Sequence, residues 1–312
     1  MNNLVKFGQK HWSENKFPKM RILISKIIIK INRIYLGLKF YFWRKFSLTK
    51  YGNNRWIDLD WGKLYVNCND FRAFLIAQYK GTQKYKVTCF LKMAELKPEL
   101  FIDVGANYGE FTCAVINKGI PCVAIESNPN LKSCLETSFS NKNVKVFDYA
   151  ISNENGNLDF YINESYSGGL SLDENVPSGK LFLGHKNKIK KVQVNTISMD
   201  DLFIKKLKII PKSLVLKIDV ESFELEVLKG AQRILESTNW WRAIIEFNPP
   251  ALKKRGLESD EIWKYYQQFN GFIIKDKEIS LNQIMNLTEK LPEKPPLGDQ
   301  DILIGFSKSQ KN

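Results

Sequence analysis

The chain has 312 residues, 44% hydrophobic and 26% charged, with 18 Gly and 11 Pro. That balance excludes disorder over most of the length, and any collagen-like or low-complexity architecture. Its net charge of +14 sits wholly in residues 1–95, which hold 19 Lys/Arg against 5 Asp/Glu, while residues 96–312 hold 28 of each. A chain-wide basic surface, as on a nucleic-acid binder, would not divide this way, so the pattern predicts a basic appendage on a neutral domain.

The first twenty residues lack an early apolar run and a small-residue cleavage site, so no signal peptide is expected. Residues 21–46 are apolar but interrupted by Lys26, Lys30, Arg33, Lys39, Arg44 and Lys45, too often for a membrane span. At helical spacing, Ile24, Ile27, Ile31, Ile34, Tyr35, Leu38 and Phe42 share one side, with Lys26, Lys30, Arg33 and Arg44 opposite. A basic amphipathic helix is expected there. It can lie in a membrane interface, pack on the protein's own core, or pair with a second subunit as a homodimer. The expected organisation is an extension over 1–50, a hairpin and helix over 51–97, and one domain over 98–312.

Residues 55–68 alternate about Trp61-Gly62 and predict a hairpin, and residues 82–97 a helix ending before Pro98. From residue 100, strands and helices alternate. Strands are expected at 100–106, 121–127, 143–151, 157–163, 190–198, 213–220, 241–249, 271–277 and 301–308. Helices are expected at 109–119, 129–139, 199–206, 223–237 and 259–269, the last capped by Ser259. Residues 164–190 read as a long polar loop. Buried apolar strands alternating with helices predict an α/β fold, doubly wound around a mainly parallel sheet.

Such sheets bind ligands beyond the carboxyl ends of their strands. Asp103-Val104-Gly105-Ala106-Asn107-Tyr108-Gly109 follows the first strand, with glycines for a tight turn. Glu126 ends the second strand, placed for ribose hydroxyls, and Asp148 lies near the end of the third, placed for an adenine amino group. A dehydrogenase would show G-x-G-x-x-G around a pyrophosphate, but positions 107 and 110 are Asn and Glu. The mouth is acidic and suits a cationic adenosine derivative, which S-adenosylmethionine is. Lys217, Asp219 and Glu221 alternate at the end of an otherwise apolar strand, where charges are costly unless paired or functional.

The blocks FIDVGANYGEFT (101–112), AIESNP (124–129), DYAISNENG (148–156), SMDDL (198–202), LKIDVESFELEVLKGA (216–231) and IIEFNP (244–249) resemble the FkbM-type S-adenosylmethionine-dependent methyltransferases. The resemblance runs over about residues 98–305 and keeps the order of all six blocks. It implies a class I methyltransferase fold and O-methylation of a sugar, glycan or related small-molecule hydroxyl. It places Asp103, Gly105, Ala106, Asn107 and Gly109 at the methionine end of the cofactor, Glu126 at the ribose, and Asp148 with Ala150 at the adenine. It sets Lys217, Asp219 and Glu221 beside the transferred methyl. One departure stands out: the family's Gly after D-V-E is here Ser222.

Transfer to oxygen is helped by a base for the hydroxyl proton. Asp219, Glu221 and Glu246, which ends the fifth large strand, are the candidates. His185 in the long loop is a further one, and the Lys-rich stretch 180–191 reads as a lid or a solvated loop. Five cysteines without ligand spacing and two distant His predict no metal site and a reducing, cytoplasmic setting, with peripheral membrane contact open. Two other functions compete. One is a non-catalytic membrane-surface protein on the same fold. The other is RNA methylation, disfavoured because no N-P-P-Y-type run follows residue 220 and Asn248-Pro249-Pro250 comes one strand too late.

Overall fold

The computed structural model describes residues 18–168, 189–274 and 279–308, with side chains from residue 26 onward. Helix α1 (Pro18–Tyr51) leads into a hairpin of β1 (Asn54–Leu59) and β2 (Gly62–Asn67), in register from Asn54↔Asn67 to Leu59↔Gly62. Two helices follow, α2 (Phe71–Tyr79) and α3 (Lys84–Ala94). Helix α2 was not expected from the sequence. It starts where the Asp70 carboxylate accepts the Arg72 N–H at 2.8 Å and stops at Lys80 in the left-handed region.

The domain then alternates β3 (Leu100–Val104), α4 (Glu110–Ile116), β4 (Cys122–Ile125), α5 (Pro129–Phe139) and β5 (Val144–Phe147). The short β6 (Ala150–Ser152) joins β7 (Gly156–Asn163) and β8 (Ile189–Ser198) in a separate three-stranded sheet, order β6-β8-β7. A π-helical turn (Asp201–Leu207) leads to β9 (Ser213–Ile218), α6 (Glu224–Lys229), α7 (Gln232–Ser237) and β10 (Trp240–Phe247). The chain continues through α8 (Pro249–Lys254), α9 (Ser259–Tyr266), β11 (Asn270–Ile274), α10 (Leu281–Met285) and β12 (Gln300–Ser307).

The main sheet has seven strands in the order β11-β12-β10-β9-β3-β4-β5. Strands β10, β9, β3, β4 and β5 run parallel, and β12 is antiparallel to both β10 and β11. The doubly wound, mainly parallel α/β fold is therefore present. Chain order reverses between β3 and β9, so the switch-point crevice opens beyond Val104 and Ile218. Successive strand residues feed opposite faces: Phe101 packs with Phe90 and Phe111, while Ile102 and Val104 pack with Leu214, Leu216 and Trp241. The two cores lock the strand ends that carry the site.

Three expectations need correction. The continuous strand over 143–151 is two strands in two sheets, because the chain leaves the main sheet after Phe147. The helix over 223–237 is broken at Gly230, whose position a Cβ could not share with the Ser152 carbonyl oxygen, 2.0 Å away. Helix α9 begins at Ser259 itself, with Glu258 as its cap and no capping side-chain bond.

Candidate functional site

The turn after β3 forms because Gly105 and Gly109 hold φ of +76° and +84°, and Asn107 φ of +51°. A Cβ on Gly105 would stand 2.0 Å from the Asp219 carbonyl oxygen, so only glycine lets the two strand ends meet. Glu126, at the end of β4, closes this turn. One carboxylate oxygen accepts the Asn107 N–H at 2.7 Å, and the other accepts the Asn128 N–H at 2.8 Å. Burial raises the Glu126 pKa, and those two N–H groups oppose the shift.

A cavity of about 250 Å³ occupies the crevice. Gly105, Ala106, Asn107 and Glu126 line its centre, at the ends of β3 and β4. Lys217, Asp219, Glu221 and Glu246 line it at the ends of β9 and β10. Ala150 lines it on the opposite side with Tyr149, Ile151, Leu158 and Phe160. Sheet order thus gives the cavity an apolar side beyond β5, a carboxylate at its middle and a charged side beyond β9 and β10.

Three sequence-predicted residues lie outside this wall. Asp103 is fully buried beneath it, where its Oδ2 accepts the Thr112 N–H and hydroxyl and its Oδ1 faces Lys217 Nζ at 3.6 Å. Gly109 sits at the start of α4 against the Phe139 ring. Asp148 is exposed and pairs with Lys132 at 2.9 Å, which lowers its pKa. His185 and most of the Lys-rich stretch lie outside the described residues.

The expected alternation of Lys217, Asp219 and Glu221 along one strand face is not what brings them together. Strand β9 ends at Ile218, and Glu221 and Ser222 both turn left-handed, with φ of +56° and +77°. Lys217 stays inside the sheet and donates to the carbonyl oxygens of Val104 and Gly105, tying β9 to the turn after β3. Asp219 stands 3.8 Å from Lys217 Nζ and 3.9 Å from Lys86 Nζ. Burial would push its carboxyl up, but Lys217, Lys86 and Arg72 outweigh burial and hold it below the usual range. Glu221 goes the other way, up to about 8: the surrounding protein desolvates it, and Asp219 and Glu224 repel its charge. Its side chain opens to the cavity, where water screens part of that effect. Glu246 is pushed up to about 10 by burial and then by Asp219, Glu221 and Glu224.

Four further residues complete the site, and of these sequence reasoning had noted only Glu110, as an acid beside the glycine turn. Arg72 of α2 reaches Glu110 at 2.9 Å and lines the cavity. Glu110 also accepts the Thr82 N–H and hydroxyl, so the acid noted beside the glycine turn is neutralised within the wall. Tyr166 shares that wall, with a pKa raised by burial. Glu224 accepts the N–H groups of Val220 and Ser222 at 3.0 and 3.1 Å and so fixes the left-handed turn. Glu224 also had a local signal, its place in the K-I-D-V-E-x-x-E run. Arg72, Glu110 and Tyr166 are joined across 38 residues of sequence or more by tertiary folding alone.

The donor set suits a cationic nucleoside. Carboxylates face the charged side, and apolar side chains form the other, where a flat base would rest. Among the described residues, no group of three His, Cys, Asp or Glu has a geometry that would hold a metal ion.

Three solved structures resemble the fold at low sequence identity. The precorrin-6y C5,15-methyltransferase of Geobacter metallireducens is 12% identical, with 72% of this chain and 90% of that one covered and a TM-score of 0.37. The tRNA (uracil-54, C5)-methyltransferase of Pyrococcus abyssi, in complex with S-adenosyl-L-homocysteine, is 12% identical over 81% and 44%, with a TM-score of 0.38. The SAM-dependent methyltransferase of Agrobacterium tumefaciens is 6% identical over 82% and 70%, with a TM-score of 0.39. No curated protein matches the sequence. The methyltransferase FkbM domain model matches residues 103–274, from the acid under the glycine turn to the end of β11. That span is more than half of the chain and holds the end of β3 and all of β4, β5, β9, β10 and β11, so the chain belongs to the FkbM methyltransferase family.

Proposed function

We propose that this methyltransferase uses S-adenosylmethionine and methylates a hydroxyl of a sugar, glycan or related small molecule. The observation that carries the reading is the pairing, in one cavity, of a backbone-held Glu126 with an Asp219 kept ionised by Lys217, Lys86 and Arg72. When bound, the cofactor supplies an electrophilic methyl on a positively charged sulfur. Glu126 fits the ribose hydroxyls, and Tyr149, Ala150 and Ile151 fit the adenine. The ionised Asp219 beyond β9 favours the cationic end.

Asp219 is the base of this reaction. A hydroxyl that gains a methyl carbon must lose its proton, and an ionised carboxylate at the cavity wall can accept it. Glu246, pushed up to about 10 by burial and neighbouring carboxylates, is the poorer base at neutral pH. Lys217 fixes Asp219 against the turn after β3. The five cysteines lack ligand spacing and the two His are distant in sequence, so EDTA should leave turnover unchanged.

Cofactor affinity by calorimetry, followed by S-adenosylhomocysteine release against a panel of saccharides, tests the reading. Release with a hydroxylated acceptor, abolished in Asp219→Asn even at a cofactor concentration that calorimetry shows to saturate the variant, is the expected result. Binding of no adenosyl ligand by the wild type would overturn it.

A further inference from the structure

Helix α1 lies against the domain by one narrow face. Phe40 is 2% exposed and packs edge-on to Phe71 at 5.2 Å and against Phe74 at 5.6 Å. Trp43 adds a contact to Phe74 at 5.7 Å, Ser47 is buried, and Leu36 joins the same cluster. These positions recur every three to four residues, so they form a single stripe. The wide apolar face is a different one. Ile27, Ile31, Ile34, Leu38, Phe42 and Phe46 are all exposed, Ile31 at 57%, Leu38 at 56% and Phe42 at 65%. The helix satisfies the domain with Phe40 and leaves this second face without a partner among the described residues.

Charge decides between the occupants of such a face. The 34 residues of α1 contain nine Lys/Arg and no Asp/Glu. A second copy laid on this face would bring two helices of the same sign together, with no acid on either to compensate. An anionic surface meets both properties at once: apolar side chains enter the acyl boundary and cations meet headgroups. Lys39 lies over the Tyr35 ring at 4.7 Å, and Lys50 over the Tyr51 ring at 5.2 Å, so both amines stay close to exposed aromatic rings. No helix among the described residues is long and apolar enough to cross a membrane. We propose that the Ile27–Phe46 face of α1 docks the protein, lying flat, on an anionic phospholipid bilayer.

The stripe that packs α1 on the domain, opposite the exposed face, also reaches the cavity wall. Phe71 contacts both Phe40 and Tyr166, and Tyr166 lines the cavity. The proposal does not depend on the methyltransferase reading.

The test uses the full chain with vesicles of phosphatidylcholine alone, or mixed with phosphatidylglycerol, and sedimentation velocity without vesicles. The variant carries Ile31→Ser, Leu38→Ser and Phe42→Ser together. All three side chains are exposed, so its melting temperature should equal that of the wild type. The expected result is sedimentation of wild type with the anionic vesicles only, weakened by high salt, and about a hundredfold weaker partition for the variant. Equal partition of the variant would overturn the proposal. So would a dimer that the variant abolishes in the absence of vesicle binding, since a second copy would then cover the face. A monomer that sediments with neither vesicle would overturn it as well.

Discussion

Ser222 stands where the family's shared run has Gly, and its backbone explains the difference in cost. Its φ of +77° lies in the left-handed region, directly after Glu221 at +56°. Side chains pay about 1 kcal/mol or more there, which glycine avoids. The Ser222 hydroxyl adds nothing in return, since its oxygen is buried without a hydrogen-bond partner. Ser222→Gly should therefore stabilise the protein by about 1 kcal/mol, read as a rise in melting temperature. A fall would mean that the hydroxyl holds the turn. Glu126 allows a second test at this scale. Its carboxylate already accepts two N–H groups, and the side chain lines the cavity. Glu126→Ala should lower cofactor affinity at least tenfold, since a bond to a charged group contributes about 1.5–3 kcal/mol. Calorimetry with a thermal melt beside it separates lost contact from a collapsed turn.

At the scale of elements, hydrophobic patterning revealed what it controls and missed what distant packing controls. The hairpin, β3, β4, β9 and α5 fall within a few residues of their expected spans, because each is a short apolar run bounded by turn residues. The split of 143–151 into β5 and β6 was hidden, since Asp148 and Tyr149 continue the alternation while the chain changes sheets. The break after Gly230 was hidden too, since helical spacing runs through it, and the close approach of the Ser152 carbonyl oxygen that requires glycine there is a tertiary contact. In the site, the glycine turn and Glu126 were legible from position alone. Arg72 was not, because nothing near it in sequence announces Glu110. Helix α1 shows both cases: its existence and polarity were legible, but the stripe that docks it was not. That stripe gives a prediction. Phe40→Ala removes the ring at the centre of the Phe71–Phe74 cluster, so residues 26–51 should become open to protease. The β-sheet domain should keep its melting temperature, because neither main core cluster contains Phe40. Loss of the whole fold in this variant would show that α1 is integral to the core.

Over the whole molecule, charge is divided by place. The excess cations concentrate on α1, while carboxylates with raised pKa values concentrate around the cavity. Glu221 at about 8, Glu224 at about 7 and Glu246 at about 10 each hold a proton in the folded state that the unfolded chain, at about 4.5, has released. Between pH 5 and the folded values the native state therefore binds more protons, and stability falls as pH rises. Asp219 has the opposite shift, but its contribution is lost only under acid conditions, below its ordinary value of 3.8. Lys86 and Arg72, both raised by the neighbouring carboxylates despite their burial, stay charged across this range. From pH 6 the cavity carboxyls set this slope, and towards pH 9 the five buried thiols, raised by burial above their ordinary value of 9.0, add to it in the same direction. The free protein should melt at a lower temperature at pH 9 than at pH 6. A cationic ligand in the cavity favours the ionised carboxylates, so saturating S-adenosylmethionine should narrow that gap and bind more tightly as pH rises toward 8. Binding should also release protons near neutral pH, which calorimetry in buffers of different ionisation enthalpy would register. A melting temperature that rises toward pH 9, or binding without proton release, would show that these carboxyls are already ionised in the free protein.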